Sequence, residues 1–162
     1  MGEVYIGLGG NLGDPLQAIK EALARIEESQ AGRVVRVSSF YRTEPVGIKE
    51  QPWFVNAAAQ VETGLAPAEF RKALARIEND MGRPEQRTKD GPRIIDLDVL
   101  LWDEEIIKGP GLEVPHPRLH DRKFVLAPLA EIAPDIKHPG LQKTVKELEE
   151  KLEDNTTVEK IE

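Results

Sequence analysis

Apolar positions along the chain follow two periods, one typical of strands and the other typical of helices. Residues 4–9, 34–41, 54–63 and 93–102 form strand-length runs that are rich in apolar, β-branched or aromatic side chains. Two intervening segments carry apolar residues at helical spacing. These are Leu16, Ile19, Leu23 and Ile26 in the first segment and Phe70, Leu74, Ile77 and Met81 in the second. The pattern therefore predicts the order β-α-β-β-α-β.

Helix boundary signals support both helices. Asp14 precedes Pro15 and stands three residues before Gln17, which is the arrangement of a helix cap with proline in the first turn. The second helix is predicted to begin at Pro67 and to end at Gly82.

This order predicts an α+β fold with a ferredoxin-like βαββαβ core, in which a mainly antiparallel sheet carries the helices on one face. A short strand at 105–108 is expected to pair back onto strand 93–102. The C-terminal extension is expected to contain a short helix within 124–132 and an acidic, solvated helix at about 144–154.

Composition narrows the class of protein. The 162 residues suit one domain, and residues 1–162 are predicted to form it. The chain has no cysteine, which excludes disulfides, thiolate zinc sites and thiol nucleophiles. A net charge of -7 argues against binding of nucleic acid, and no apolar run is long enough for a membrane span. We expect a soluble cytoplasmic protein, acting as a monomer.

The strand at 93–102 contains two aspartates that could hold a metal. Side chains alternate between the faces of a strand, so Asp96 and Asp98 share a face, roughly 7 Å apart along the backbone. The alternation places Ile95, Leu97, Val99 and Leu101 on one face and Ile94, Asp96, Asp98 and Leu100 on the other. Paired carboxylates suit Mg²⁺ in phosphoryl transfer, although two solvated aspartates on an exposed face are the alternative.

Basic residues surround this strand in the sequence. Arg83, Arg87, Lys89 and Arg93 lie in or beside the loop at 83–92, and His116 precedes Arg122. Arginines can donate paired hydrogen bonds to phosphate oxygens, so these residues are candidates for phosphate binding. An ordinary solvated loop is the alternative.

Two further patterns are weaker. The glycine-rich segment at 7–13 lacks the spacing of a dinucleotide or P-loop motif, and a tight turn before the first helix explains it. Phe54 and Asn56 share a strand face, where a ring and an amide could bind a flat heterocycle. Core packing is the alternative for this pair.

Five segments, taken in order, carry a specific resemblance. They are GGNLGD at 9–14, SSFYRTEPVG at 38–47, QPWFVNA at 51–57, GPRIIDLD at 91–98 and VPHPR at 114–118. The chain closely resembles the 6-hydroxymethyl-7,8-dihydropterin pyrophosphokinases of folate biosynthesis over about residues 2–140.

The resemblance implies a ferredoxin-like α+β fold and a reaction that depends on ATP and Mg²⁺. The hydroxymethyl oxygen of the pterin attacks the β-phosphorus of ATP, pyrophosphate is transferred, and AMP leaves. Both substrates are small molecules, and neither a nucleic acid nor a membrane is an expected partner.

Residue roles are also implied by the resemblance. Asp96 and Asp98 would hold two Mg²⁺ ions, Asp96 would assist loss of the hydroxyl proton, and Arg83 and Arg93 would steady the transferring phosphates. The expected pterin-binding residues are Thr43, Val46, Phe54, Asn56 and Phe124. The expected ATP-binding residues are Glu78, Arg93, Val99, Leu112, His116 and Arg122. Asp90 stands where family members often have tryptophan, so Phe54 and Phe124 are expected to stack on the pterin.

Other classes of function remain open from the residues alone. Ferredoxin-like domains also serve as RNA-binding modules or as regulatory domains for small ligands. An RNA-binding module needs paired aromatic side chains on the sheet and a basic surface. The acidic sequence, with two aspartates on its sheet strand, does not favour this class of function. A regulatory domain would not need the Asp96–Asp98 pair, and an inactive relative of the family is a third alternative.

Overall fold

The computed structural model describes residues 1–82 and 91–162. Residues 83–90, which include the predicted phosphate-binding Arg83 as well as Arg87, Lys89 and Asp90, lie outside the described residues. The elements in chain order are β1 (Gly2–Gly10), α1 (Pro15–Glu28), β2 (Arg33–Val37), β3 (Tyr41–Thr43), β4 (Phe54–Thr63), α2 (Pro67–Asp80), β5 (Asp96–Trp102), β6 (Ile107–Gly109), β7 (Leu112–Val114), a 3₁₀ turn (Leu119–Asp121), α3 (Lys123–Ile132), β8 (Lys137–His138), β9 (Lys143–Thr144), α4 (Val145–Lys151) and β10 (Val158–Lys160).

The main sheet is antiparallel. Its order is β10-β3-β4-β1-β5, and β2 pairs with β4 beyond the end of β3. The mixed α/β architecture with a mainly antiparallel sheet is therefore confirmed.

Both predicted helices form as their sequence signals indicate. The Asp14 carboxylate accepts a hydrogen bond from the Gln17 backbone N–H at 3.1 Å, and Pro15 occupies the first turn of α1. Helix α2 begins at Pro67, and Gly82 follows it with a φ of +102°, a conformation that side chains rarely adopt. These two helices pack on one face of the sheet, and the buried side chains of that layer include Ile19, Ile26, Phe70 and Leu74.

The predicted strand at 34–41 is interrupted. It forms β2 and β3, which both pair with β4 and are separated at the buried Ser38. The Ser38 backbone N–H donates to the Ala58 carbonyl, and its hydroxyl accepts from the Ala58 N–H, both at 2.9 Å. A side chain thus replaces one backbone acceptor, and regular pairing resumes only at Tyr41.

The predicted strand at 93–102 begins later and changes face once. Pairing with β1 places Tyr5 opposite Leu101 and Ile6 opposite Val99, so Leu100 is an extra residue in a bulge. Leu101 therefore lies with Leu100 on the side of α3, and the prediction that it shares a face with Leu97 and Val99 is wrong. Ile94 precedes β5 and packs towards α1 and α2, not on the face of the aspartates.

The segment after β5 also differs from expectation. The strand near 105–108 is β6, and it pairs with β7 rather than with β5. The helix expected at 144–154 ends at Lys151, and Val145 and Leu148 are buried in its contact with α3. Residues 158–160 form β10 at the edge of the main sheet.

Helices cover both faces of the sheet. α3 packs on the face opposite α1 and α2, where Leu126 and Leu129 are fully buried against Tyr5, Ala58 and Leu100. The prediction of helices on one face is therefore incomplete, and the sheet lies between two apolar layers.

Candidate active site

A cavity lies on the α3 face of the sheet, beside the first turn of α3. It is lined by Gly7, Leu8, Gly9, Thr43, Glu44, Val46, Phe54, Asn56, Ala57, Arg93, Asp96, Asp98, Leu100, Arg118, Asp121, Arg122, Phe124, Val125 and Asp154. All five predicted pterin-binding residues and both aspartates belong to this set. Residues from six parts of the chain thus meet at one place.

Three neighbouring strands form the floor of the cavity. Asn56 of β4 is paired with Gly9 of β1, and Gly9 is paired in turn with Asp96 of β5. Gly7 is paired with Asp98 in the same way. Since side chains alternate along a strand, the two glycines face the cavity and leave space between the amide and the carboxylates.

A side chain at Gly9 would not fit beside the Asn56 amide. A Cβ atom built there collides with Oδ1 of Asn56, whereas one at Gly7 makes only ordinary contact with Leu100 at 3.5 Å. The glycine-rich segment therefore contributes to the site, and not only to the turn before α1.

The two carboxylates are electrostatically unlike. Burial raises the pKa of Asp98 above its ordinary value, and the negative charge of Asp96 adds to this effect. Cationic neighbours, His116 first among them, lower it in part. Asp96 forms an ion pair with Arg93, and the two side chains are 19% and 18% exposed. A divalent cation at this pair would favour the charged form of Asp98.

Arg93 is held from several directions. Its backbone N–H donates to Oδ1 of Asn11 at 2.9 Å, and its carbonyl accepts the N–H of Asn11 at 2.9 Å. Nδ2 of Asn11 also donates to Oε1 of Gln51 and to the carbonyl of Pro52, at 2.9 and 2.8 Å. The buried Asn11 thus joins the glycine-rich segment, the end of the loop before β4, and the start of the aspartate strand.

The predicted pterin-binding residues belong to two parts of the fold, which we call the two walls of the pocket. One wall is β3, β4 and the loop between them, with Thr43, Val46, Phe54 and Asn56, and the other is the first turn of α3, with Phe124. Nδ2 of Asn56 donates to Oγ1 of Thr43 at 2.7 Å, which orients the amide towards one side of the cavity. Phe124 lies on α3, and its ring centroid is 5.5 Å from Cζ of Arg122. The Phe54 ring stands 5.9 Å from Cζ of Arg93. Each aromatic wall therefore has a guanidinium beside it.

The predicted nucleotide-binding residues fall into two groups. Arg93 and Arg122 line the cavity, and His116 is close enough to Asp98 and Arg122 for its pKa to respond to their charges. Burial lowers the pKa of His116, and Asp98 opposes that effect.

The second group lies away from the cavity. Val99 is buried on the face of α1 and α2, and Leu112 packs against the same layer. Glu78 is buried on α2, and its Oε2 accepts the Leu97 backbone N–H at 2.7 Å, between the two aspartates. These roles stay predictions, as does that of Arg83.

Four charged lining residues were absent from the sequence prediction: Glu44, Arg118, Asp121 and Asp154. Glu44 and Arg118 lie within the two motifs at 38–47 and 114–118, which could have indicated them. Asp154 belongs to a segment with no motif, and only the tertiary structure brings it to the cavity.

The carboxylate pair is the candidate metal site. Within the described ranges, 1–82 and 91–162, no group of three or more metal-binding side chains could hold an ion by itself. Two carboxylates suit Mg²⁺, because this ion usually keeps several waters and completes its coordination with substrate phosphates.

No helix in the described parts of the chain is long and apolar enough to cross a membrane.

An α/β fold whose sheet presents paired carboxylates and an amide, beside arginines and aromatic side chains, suits the transfer of phosphorus groups to a small molecule. Comparison with known proteins identifies the family. The sequence profile of 7,8-dihydro-6-hydroxymethylpterin pyrophosphokinase (HPPK) matches residues 5–134. The chain belongs to this family.

Individual relatives agree with the profile. The chain is 44% identical to the 2-amino-4-hydroxy-6-hydroxymethyldihydropteridine pyrophosphokinase of Haemophilus influenzae, over 85% of this chain and 86% of that protein. It is 40% identical to the enzyme of the same name from Methylorubrum extorquens, over the whole of both chains.

A solved structure shows the same fold. Plasmodium falciparum HPPK-DHPS with pteroate superimposes with a TM-score of 0.74 at 17% identity, over 93% of this chain. The chain spans 42% of that longer protein.

The predicted activity is therefore confirmed: the protein transfers pyrophosphate from ATP to the hydroxymethyl group of 6-hydroxymethyl-7,8-dihydropterin in folate synthesis.

Proposed function

We propose that the cavity on the α3 face of the sheet is where this transfer occurs. The observation that carries the proposal is the register of three strands, which places Asn56, Gly9 and Asp96 side by side. The Asn56 amide can form hydrogen bonds with a heterocycle, and the Asp96 carboxylate can hold a cation. Gly9 lies on the strand between them.

The pterin is proposed to lie between Phe54 and Phe124, with Asn56 and Thr43 at its hydrogen-bonding edge and Val46 against its rim. Flat rings gain from contact with aromatic faces, and an amide offers both a donor and an acceptor. The support for this placement is that all five side chains line one cavity.

The phosphates are proposed to lie over Asp96 and Asp98, towards Arg93, Arg122 and His116. Mg²⁺ bound at the aspartates, two ions by family resemblance, would neutralise charge on the phosphates and orient them. The arginines can donate paired hydrogen bonds to phosphate oxygens, and the loop residue Arg83 is proposed to join them.

Catalysis then depends on positioning more than on covalent help from the protein. The hydroxymethyl oxygen forms a bond to the β-phosphorus, the bond from that phosphorus to the oxygen of the α-phosphate breaks, and AMP departs. Asp96 is proposed to assist loss of the hydroxyl proton. Arg93 is proposed to bind the transferring group, and its ion pair with Asp96 supports this role.

The experiment is to incubate the protein with Mg²⁺, ATP and 6-hydroxymethyl-7,8-dihydropterin and to separate the nucleotides. AMP is expected only when the pterin is present. Replacing Asp96 or Asp98 by Asn is expected to lower turnover by roughly a thousandfold or more, because both metal binding and charge stabilisation are lost. Asp135→Asn, at an exposed carboxylate outside the cavity, is the control and should retain wild-type turnover.

Undiminished turnover in the two aspartate variants would disprove the assignment of the site. Pterin binding with no change in the nucleotides, for the wild-type protein, would instead favour the regulatory ligand-binding domain.

We also propose that the sheet is of the ferredoxin-like type. The order β3-β4-β1-β5, with α1 after β1 and α2 after β4, supports this assignment. Residues 1–162 are proposed to act as one domain and as a monomer, which sedimentation would measure. A cytoplasmic location stays a prediction.

A further inference from the structure

We propose that the C-terminal segment 154–160 positions the two walls of the pterin pocket relative to each other. Asp154 is the residue of this segment that acts on the wall formed by α3. The inference rests on the pterin site proposed above. The segment carries none of the recognised motifs, yet it contacts both the first turn of α3 and the strand end that precedes Val46.

The first contact is with the helix that carries Phe124. The Asp154 carboxylate accepts hydrogen bonds from the backbone N–H and the hydroxyl of Thr156, at 2.8 and 2.7 Å, and it lies close enough to Lys123 for the backbone N–H and the charge of that residue to lower the Asp154 pKa. Nζ of Lys123 in turn donates to the Thr156 carbonyl at 3.1 Å. Residues Asp154 and Thr156 therefore place a carboxylate and a carbonyl acceptor beside Lys123 in the first turn of α3, where helices favour negative charge.

The pKa of Asp154 agrees with this role. Burial raises it, but the hydrogen bonds from Thr156 and the N–H and charge of Lys123 outweigh burial and leave the pKa below its ordinary value. The Asp154 carboxylate is thus stabilised in its charged form beside the first turn of α3.

The second contact is with the wall formed by β3 and β4. The Glu44 backbone N–H donates to the Thr157 carbonyl at 3.0 Å, and the Thr157 N–H donates to Oε1 of Glu44 at 3.1 Å. The next residue, Val158, pairs with Thr43, whose hydroxyl accepts the hydrogen bond from Asn56. The segment is therefore attached to the residue that orients the pterin-reading amide.

These two attachments are only four positions apart along the chain, at Asp154 and Val158. Phe124 and Thr43 are 81 positions apart in the sequence, and the segment links their walls through short hydrogen bonds. A pocket whose walls are already held at the right spacing loses less conformational freedom when the ligand binds. The segment should therefore influence affinity for the pterin more than affinity for the nucleotide.

Asp154→Ala tests the inference in the full chain. Calorimetry measures the Kd for 6-hydroxymethyl-7,8-dihydropterin in the presence of a saturating, non-hydrolysable ATP analogue with Mg²⁺. The pterin Kd is expected to rise about tenfold, because the negative charge beside the first turn of α3 and a preorganised wall are lost together. The Kd of the analogue should change less than twofold. Glu153→Ala, at the neighbouring exposed carboxylate, is the matched control and should change neither value.

A double-mutant cycle with Phe124→Ala separates positioning from direct contact. If Asp154 acts through the helix that carries Phe124, its loss should weaken pterin binding by less than twofold once the ring is absent. A tenfold effect that persists in the Phe124→Ala background would show that Asp154 does not act through α3, and its role in positioning the wall that carries Phe124 would be wrong.

Two further variants make every outcome decisive. Thr156→Val removes one donor to Asp154 and should raise the pterin Kd about threefold. It replaces Asp154→Ala if that variant does not fold, and an unchanged Kd would overturn the inference.

Asn56→Ala reports on the pterin site. If Asn56→Ala has no effect on the pterin Kd, the proposed site is wrong. If it weakens binding and Asp154→Ala does not, only the role of the C-terminal segment fails.

Discussion

Gly9 shows how the smallest residue shapes the site. It lies between Asn56 and Asp96 in the floor of the cavity, and the space that a side chain would occupy is already taken by the Asn56 amide. The sequence pattern indicates a turn at this segment, and Gly13 does adopt a φ of +66° there. That Gly9 faces the cavity depends on its pairing with two strands that are distant in sequence.

We expect Gly9→Ala to weaken binding of the pterin. The added methyl group must displace the Asn56 side chain, so the pterin Kd should rise at least tenfold, which is about 1.4 kcal/mol. Calorimetric titration with 6-hydroxymethyl-7,8-dihydropterin and a saturating ATP analogue measures this change. Gly109→Ala is the control, since a Cβ there meets open space. Equal affinity for the two variants would exclude Gly9 from the pterin site.

Helices and strands were predictable to different degrees at the scale of single elements. β4 has the predicted bounds, and α1 and α2 begin at the predicted prolines, because their caps and periods are encoded by nearby residues. The break at Ser38 and the bulge at Leu100 were not predicted. Both depend on pairing with a neighbouring strand that local propensity does not specify.

Glu131 connects α3 to the sheet and makes this contact dependent on pH. Its carboxylate accepts the Tyr41 hydroxyl at 2.6 Å, and the Ser39 backbone N–H and hydroxyl at 3.0 Å. Burial raises the pKa of Glu131, but these hydrogen bonds outweigh burial and leave the pKa below its ordinary value. A depressed carboxyl pKa stabilises the fold above the pKa of the unfolded chain, and the stabilisation is lost as the pH falls through the folded value.

The difference in unfolding free energy between wild type and Glu131→Gln should therefore be largest near neutral pH. It should shrink as the pH falls below about 4, where the carboxyl group of the unfolded chain takes up its proton. Urea denaturation across this range measures it, with the exposed Glu150→Gln as control. A difference that does not vary with pH would show that the charge of Glu131 contributes nothing to the contact.

The whole molecule has two apolar layers, one on each side of a single sheet. The layer of α1 and α2 follows from the β-α-β-β-α-β pattern. The layer of α3 and α4 makes the second face of the sheet buried, and it places the first turn of α3 at the edge of the cavity.

Leu126→Ala tests whether this second layer contributes to the stability of the whole chain. The side chain is fully buried, so its loss should lower the free energy of unfolding by about 2–5 kcal/mol. Urea denaturation is the measurement, and Leu141→Ala, at a leucine that is 44% exposed, should change stability by less than about 0.5 kcal/mol. A small effect at Leu126 would mean that the layer of α3 and α4 unfolds separately from the sheet.

The sequence by itself determined the family, the chemistry and most of the elements. The family motifs, the alternation that puts Asp96 and Asp98 on one face, and the helix caps are all relations between residues close together in the chain. Only the tertiary structure decided that Gly9 lies between the Asn56 amide and the Asp96 carboxylate, that α3 covers the second face, and that Asp154 reaches the cavity. Those features join segments that are far apart in sequence. They arise from strand pairing and packing over the whole molecule, which no local pattern encodes.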